Sequence, residues 1–323
     1  MTSIVDSLLS YISFINIDTN ILLLFAIVIP GLALFVFMAV NVMLSVYFER
    51  KVAAFMQDRL GPMEVGIFGF KGGKKFWGGI GQIFADTVKL LTKEDIMPAN
   101  ADKVLMTISP FIIVTGALLT FIGIPFTDGL IVSDFNIGIL YIIAMSSVGV
   151  IGVILAGWSS NNKWSLYGAM RSAAQIISYE IPIGLTLLLV VIVCGSLQVS
   201  DIVAWQAENR WFMLHSPFTF VAFFIFFVSV VAETNRTPFD IPEAESELVA
   251  GWMTEFSGFK WSIFFMSEYA NMLIVSLVAS FVFLGGWLSP FTIFNIFPES
   301  WLLLDGFYWG IFWLFFKAIF LVF

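Results

Sequence analysis

Ile137-Gly138-Ile139-Leu140-Tyr141-Ile142-Ile143-Ala144-Met145-Ser146-Ser147-Val148-Gly149-Val150-Ile151-Gly152-Val153-Ile154-Leu155-Ala156-Gly157-Trp158 runs without one charged side chain. It meets the ~20 apolar residues that an α-helix needs to cross the hydrocarbon of a bilayer. Runs of the same kind occupy Ile21–Phe48, Val104–Phe126, Ala173–Leu197, Phe218–Ala232, Trp261–Leu288 and Phe307–Phe323. Of the 323 residues, 59% are hydrophobic and 12% charged, where soluble domains carry about 25% charged residues. Folded in water, this chain would expose large apolar patches. In lipid every backbone polar group must be satisfied within the segment, which selects helices. The sequence therefore predicts an all-α fold, a polytopic transmembrane helix bundle of seven visible spans. It reads as one integral membrane domain over residues 1–323.

The chain holds one cysteine, Cys194, and one histidine, His215. An iron–sulfur cluster usually needs about four thiolates, and a structural zinc site four Cys or His ligands. This chain alone can build neither, and no disulfide can form within it. Cys194 sits in an apolar run and reads as a small packing residue, His215 as an interfacial polar residue. The N-terminal twenty residues have no basic n-region and do not read as a signal peptide.

Basic residues orient the bundle. All 15 Lys and Arg residues except Arg210 and Lys317 fall in or beside the first, third and fifth connections. The positive-inside rule places those odd-numbered connections on the cytoplasmic side and the N-terminus outside. The first connection, residues 49–103, is too long to be a plain loop. Val52, Phe55, Met56 and Leu60, then Ile80, Ile83, Phe84, Val88 and Leu91, recur at helical spacing. Both patterns predict amphipathic helices at the membrane surface or against a partner. Between them Gly69–Gly79 is a glycine- and lysine-rich insertion that lacks the spacing of a phosphate loop.

Three carboxylates interrupt the apolar spans: Glu180, Glu233 and Glu268, one each in the fourth, fifth and sixth. A charge near a helix centre costs roughly 2.5–3.5 kcal/mol on insertion scales, so three need a reason. Neutral, hydrogen-bonded glutamic acids would be the bland account. A proton relay is favoured, because burial moves a carboxyl toward neutrality, where it both takes up and releases a proton. Glu233, at a span end, has pairing with Arg236 as its alternative. The connection that follows, residues 233–260, is an acidic cytoplasmic loop with Asp240, Glu243, Glu245, Glu247 and Glu255. Ile241, Leu248, Val249, Trp252 and Met253 are interleaved with them, so the loop reads as folded into an interface or cavity.

These residues carry a resemblance. Glu233-Thr234-Asn235-Arg236-Thr237-Pro238-Phe239-Asp240, followed by Pro242-Glu243-Ala244-Glu245-Ser246-Glu247-Leu248, resembles the signature loop of the H-type membrane subunit family (subunit 1) of respiratory complex I. The family's other motifs follow in register: Glu49-Arg50-Lys51 through Gln57-Asp58-Arg59-Leu60-Gly61-Pro62, Ala85-Asp86 to Lys93-Glu94-Asp95, Arg171-Ser172-Ala173-Ala174-Gln175 with Ser178-Tyr179-Glu180, and Glu268-Tyr269-Ala270-Asn271. The resemblance implies the membrane subunit of a proton-pumping NADH:quinone oxidoreductase in an energy-transducing membrane. By motif position Arg50, Arg59, Asp86, Arg236, Phe265 and Met266 would line or support the quinone path. Glu180, Glu233, Glu243, Glu245, Glu247, Glu255 and Glu268 would form the acidic chain that starts the proton route. Quinone is then a substrate, and NADH, FMN and iron–sulfur clusters belong to partner subunits. The implied partners are the hydrophilic arm with its terminal cluster, small and antiporter-like membrane subunits, and lipid; nucleic acid is not among them.

Three departures stand out. Met63 and Glu64 replace the family's Asn and Arg after Gly61-Pro62, the Gly69–Gly79 stretch is longer than usual, and an eighth span expected from the family is missing. Two other functions compete. The membrane subunit of an energy-conserving hydrogenase would keep the glutamates and lose the Arg59-Leu60-Gly61-Pro62 run. A stand-alone ion transporter would show inverted repeats, and none appears.

Overall fold

The computed structural model describes residues 19–65, 78–242, 245–293 and 306–322. Helices α1 (Thr19–Met56), α3 (Lys103–Ile122), α4 (Gly138–Ser159), α5 (Lys163–Cys194) and α10 (Gly258–Phe283) are long and apolar enough to cross a membrane, and α8 (Pro217–Glu233) and α12 (Phe307–Val322) are shorter apolar helices. Each coincides with a span expected from the sequence. Between them lie α2 (Gly81–Thr92), α6 (Val199–Glu208), α7 (Phe212–His215), α9 (Glu245–Leu248), a 3₁₀ turn at Gly251–Met253, and α11 (Pro290–Ile293). Among the described residues there is no extended sheet, only an isolated bridge between Thr127 and Leu130.

Helix ends follow local chemistry. Asp102 caps α3 by accepting from the backbone N–H groups of Val104 (3.0 Å) and Leu105 (3.2 Å). Asn162 accepts from Trp164 N (2.9 Å) to start α5, and Gly195, in the left-handed region at φ 78°, ends it. Ser216 and Thr219 form a capping box at α8, with Pro217 in the first turn; side-chain oxygens there satisfy otherwise orphan N–H groups. Pro30, Pro110 and Pro182 lie inside α1, α3 and α5, as membrane helices tolerate.

Burial shows which helix faces turn away from the bundle. On α1, Val28, Leu32, Val36, Val40, Leu44 and Phe48 are exposed at a spacing of four, while Leu34, Met38 and Val42 are buried. Helix α10 is the centre of the bundle: Phe264, Leu277, Phe281, Val282 and Phe283 on it have no exposure. Small residues bring other helices together. A Cβ on Gly168 of α5 would stand 2.7 Å from Gly251 Cα and 2.8 Å from Trp252 N, so only glycine lets α5 reach the 3₁₀ turn. Lys317, inside α12, is satisfied at the far end of the bundle. Its ammonium donates to the carbonyls of Leu284 (2.7 Å), Gly286 (2.8 Å) and Leu288 (2.7 Å) beyond the end of α10.

Three boundaries differ from expectation. The 52–60 pattern is no separate helix, because α1 continues through Glu49-Arg50-Lys51 to Met56; charged residues that end a membrane span are still good helix formers. Helix α5 begins at Lys163, ahead of Ala173, for the same reason. Helix α10 stops at Phe283, before Gly285 and Gly286, whose positive φ breaks the helix. The second amphipathic pattern is α2. Ile83 packs inward while Phe84, Val88 and Leu91 form an exposed apolar stripe. Most of the Gly69–Gly79 insertion lies outside the described residues.

Candidate functional site

The expected site residues gather at the end of the bundle where the basic connections meet. There the charged segments are tied together. Lys260 Nζ lies 2.8 Å from Asp95 Oδ2, and the Ser257 hydroxyl accepts from Ile96 N (3.0 Å).

An apolar cavity of about 350 Å³ opens between α1, α2 and α10, lined by Phe35, Met43, Ile83, Trp261, Phe265 and Met266, with Arg50, Gln82 and Asp86 among its polar members. Arg50 Nη1 donates to Asp86 Oδ2, and Gln82 Nε2 to Asp86 Oδ1 at 2.7 Å. Four of the expected quinone-path residues, Arg50, Asp86, Phe265 and Met266, thus line one cavity although they come from three helices. Arg59 lies exposed in the turn after α1, outside this cavity, and Arg236 faces a neighbouring groove with Glu49.

A second, smaller pocket of about 80 Å³ lies among α3, α4, α5, α8 and α10. Glu233 and Glu268 both line it, together with Ser146, Thr234, Asn235, Ser267 and Asn271. Glu180, on α5, accepts a hydrogen bond from Ser147, next to the pocket residue Ser146. Glu233 and Glu268, expected from separate spans, therefore share one pocket, and Glu180 is bonded to the residue next to its wall. A water needs roughly 10–15 Å³ and two to four polar partners, so the pocket has room for several.

The remaining acids have other partners. Glu247 Oε2 accepts from Arg171 Nη1 at 3.0 Å, both side chains exposed, and Glu255 Oε1 accepts from Asn162 Nδ2 at 2.6 Å. Glu243 and the side chain of Glu245 lie outside the described residues.

Arg236 corrects an expected pairing. Instead of Glu233, it pairs with Glu49 (Nη1 to Oε1, 3.1 Å) and Glu268 (Nη2 to Oε1, 3.3 Å). Its guanidinium stacks 4.6 Å from the centroid of the Tyr269 ring, and the Tyr269 hydroxyl donates to Glu49 Oε2. Burial works against the charge of Arg236, but Glu268, then Tyr269 and Glu49, outweigh it and hold the guanidinium protonated well above its ordinary range. The loop carrying Arg236 is fastened to α5 by Gln175, whose Nε2 donates its two N–H groups to Ala232 O (2.8 Å) and Phe239 O (2.7 Å), with Asn235 Oδ1 as a more distant shared acceptor (3.1 Å). Asn235 Nδ2 in turn donates to Ser172 Oγ at 3.1 Å. Sequence reasoning assigned no role to Glu49, Tyr269, Gln175 or Ser147. The first three stand inside the motifs quoted above, which was the available signal.

A family model described as NADH dehydrogenase matches residues 29–323. The chain is similar to the H subunit of the NADH-quinone oxidoreductase of Chlorobaculum tepidum, 48% identical over 284 residues, which cover 86% of this chain and 76% of that protein. It is likewise 46% identical over 304 residues to the H subunit of the NADH-quinone oxidoreductase of Bacteroides fragilis, covering 92% of this chain and 79% of that protein.

Proposed function

The chain belongs to the NADH dehydrogenase family, and on that premise we propose that it is the membrane subunit of a proton-translocating NADH:quinone oxidoreductase. In this reading it forms the membrane end of the quinone path and the first part of the proton path. The observation that carries the reading is the meeting of Arg50, Asp86, Phe265 and Met266 in one apolar cavity, beside a small pocket lined in part by Glu233 and Glu268.

The chemistry follows from what each side chain supplies. Phe265 and Met266 offer an adaptable apolar wall to a ring and an isoprenoid tail. Arg50, steadied by Asp86, offers a planar cation that offsets negative charge on a reduced headgroup. The electrons come from a terminal iron–sulfur cluster on a partner of the hydrophilic arm, since this chain has too few thiolates to hold one. On the other side of α10, Glu233 and Glu268 in the small pocket, with Glu180 beside it, pass protons toward antiporter-like membrane subunits. Arg59, Arg236, Glu243, Glu245, Glu247 and Glu255 support the two paths from the loops. The positive-inside rule sets the basic connections on the cytoplasmic side, or the matrix side if the membrane is organellar.

Purification of the native complex through this chain tests the proposal. Co-purifying iron–sulfur subunits and NADH:quinone activity are the expected result. A complex with hydrogenase activity and no NADH oxidation would overturn it.

A further inference from the structure

Helix α2 turns one face to the apolar cavity, with Gln82, Asp86 and Leu90 on it at i, i+4 and i+8. The turn that starts the helix, in which Gln82 N donates to Gly79 O at 3.0 Å, fixes the first of them. The Gln82 amide donates one N–H to Asp86 Oδ1. A carboxylate oxygen only accepts, so this bond also settles which end of the amide is the nitrogen. The second N–H and the carbonyl oxygen of Gln82 have no partner among the described residues.

The other polar side chains on the wall lack that pair of free groups. The hydroxyls of Tyr47, Thr87 and Ser262 give their single proton to the carbonyls of Gly78 (2.7 Å), Ile83 (2.9 Å) and Phe259 (2.7 Å), and keep acceptor capacity alone. Arg50 and Trp261 carry donors alone, and Asp86, paired with Arg50, carries acceptors alone. Among the described residues that line the cavity, Gln82 is the one that both donates and accepts without a change of protonation.

That capacity matches a substrate whose hydrogen-bonding character reverses. A quinone oxygen is an acceptor only. Two electrons and two protons turn the pair of ring carbonyls into hydroxyls, each of them a donor as well. We propose that Gln82 contacts the headgroup in both oxidation states at the membrane end of the path: its free N–H donates to a ring carbonyl of the entering quinone, and its carbonyl oxygen accepts from a ring hydroxyl of the leaving hydroquinone. The proposal rests on the reading of the cavity as the quinone path and adds which side chain meets the ring there.

The test uses the assembled complex in inverted membrane vesicles, normalised by NADH oxidation with a hydrophilic artificial acceptor. The probes are a short-tailed quinone, benzoquinone or naphthoquinone by the lower wild-type KM, and its hydroquinone added as product inhibitor. Gln82→Met keeps the length of the side chain and removes both bonding groups. A neutral hydrogen bond is worth up to about tenfold in binding. We expect the KM for the quinone and the inhibition constant of the hydroquinone to rise about three- to tenfold together, with kcat changing less than about twofold. The same factor should appear in an Arg50→Met background, where Gln82 can no longer act by steadying Arg50. Wild-type values of both constants, a rise in one alone, or no further rise in the Arg50→Met background would overturn the proposal. Should Gln82→Met not assemble, Gln82→Asn decides, since it withdraws the amide by one methylene: raised constants support the role, and wild-type constants refute it. Arg50→Met also separates the two levels. Wild-type quinone kinetics there refute the quinone-path reading itself, whereas a raised KM there beside an unaffected Gln82→Met refutes only this proposal.

Discussion

Asp86 on α2 and Arg50 near the end of α1 are joined by a hydrogen-bonded ion pair across the mouth of the apolar cavity, with Gln82 as a second donor to the same carboxylate at 2.7 Å. The side chains are 26% and 48% exposed respectively, and pairs of that exposure contribute about 0–1 kcal/mol to stability. Their value is in placing Arg50. Asp86→Asn should therefore assemble normally and keep NADH oxidation with a hydrophilic acceptor. Quinone-linked oxidation should fall several-fold, with the KM for quinone rising. Steady-state kinetics with both acceptors on the same vesicles checks this, and equal loss of both activities in assembled complex would remove the role.

Glu180, Glu233 and Glu268 should each lose proton translocation and quinone reduction together on substitution by Gln. The amide keeps size and some hydrogen bonding but cannot exchange a proton. Because Glu233 shares its pocket with Glu268 and is not paired to Arg236, it belongs with the other two and not below them. Proton uptake and quinone reductase rates at matched assembly are the measurement. Wild-type rates in the Gln variants of both Glu180 and Glu268 would end the relay assignment.

How much of this could be read from the chain depends on whether the cause is local. A span shows itself in its own residues, so the five long and two shorter apolar helices among the described residues were legible. The cost of a carboxylate in an apolar run is also local, and Glu180, Glu233 and Glu268 stood out for that reason. Helix ends were less legible, since Glu49-Arg50-Lys51 closes a span without closing a helix. Partnerships were not legible at all. Arg236 meets a carboxylate 187 positions away, and Tyr269 one 220 positions away; no periodicity encodes such a contact. The cavity around Arg50, Asp86, Phe265 and Met266 was anticipated only through family resemblance, because an aromatic or a methionine on an apolar helix otherwise reads as packing.

Gln175 fastens the Thr234–Phe239 turn to α5 through one amide that donates to the carbonyls of Ala232 and Phe239. Gln175→Ala would leave the carbonyls of Ala232 and Phe239 without this donor, each at a cost of about 1–3 kcal/mol where no water replaces it. The expected result is a lower thermal midpoint of the detergent-solubilised complex and faster proteolysis in the 234–242 loop. Gln175→Glu, which removes the donors and keeps the size, should behave as the alanine variant does. Stability equal to wild type in both would mean that Asn235 and Ser172 hold the loop unaided.

Lys317 sits within the last apolar helix, buried, with three carbonyl acceptors beyond α10 and the Trp211 ring 4.8 Å from its ammonium. No described carboxylate pairs with it, so the ammonium is held by carbonyls at and just beyond a helix C-terminus, where positive charge is favoured. That arrangement ties α12 to α10 at the end of the bundle away from both cavities. Lys317→Met keeps the stem and strips all three donors. It should lower the amount of assembled complex and its thermal midpoint, by about 1–3 kcal/mol for each carbonyl left unsatisfied in a buried site. The kcat per assembled complex should stay unchanged, because neither proposed path passes this residue. Normal stability with a collapsed kcat would reverse the assignment and make Lys317 part of the transport machinery.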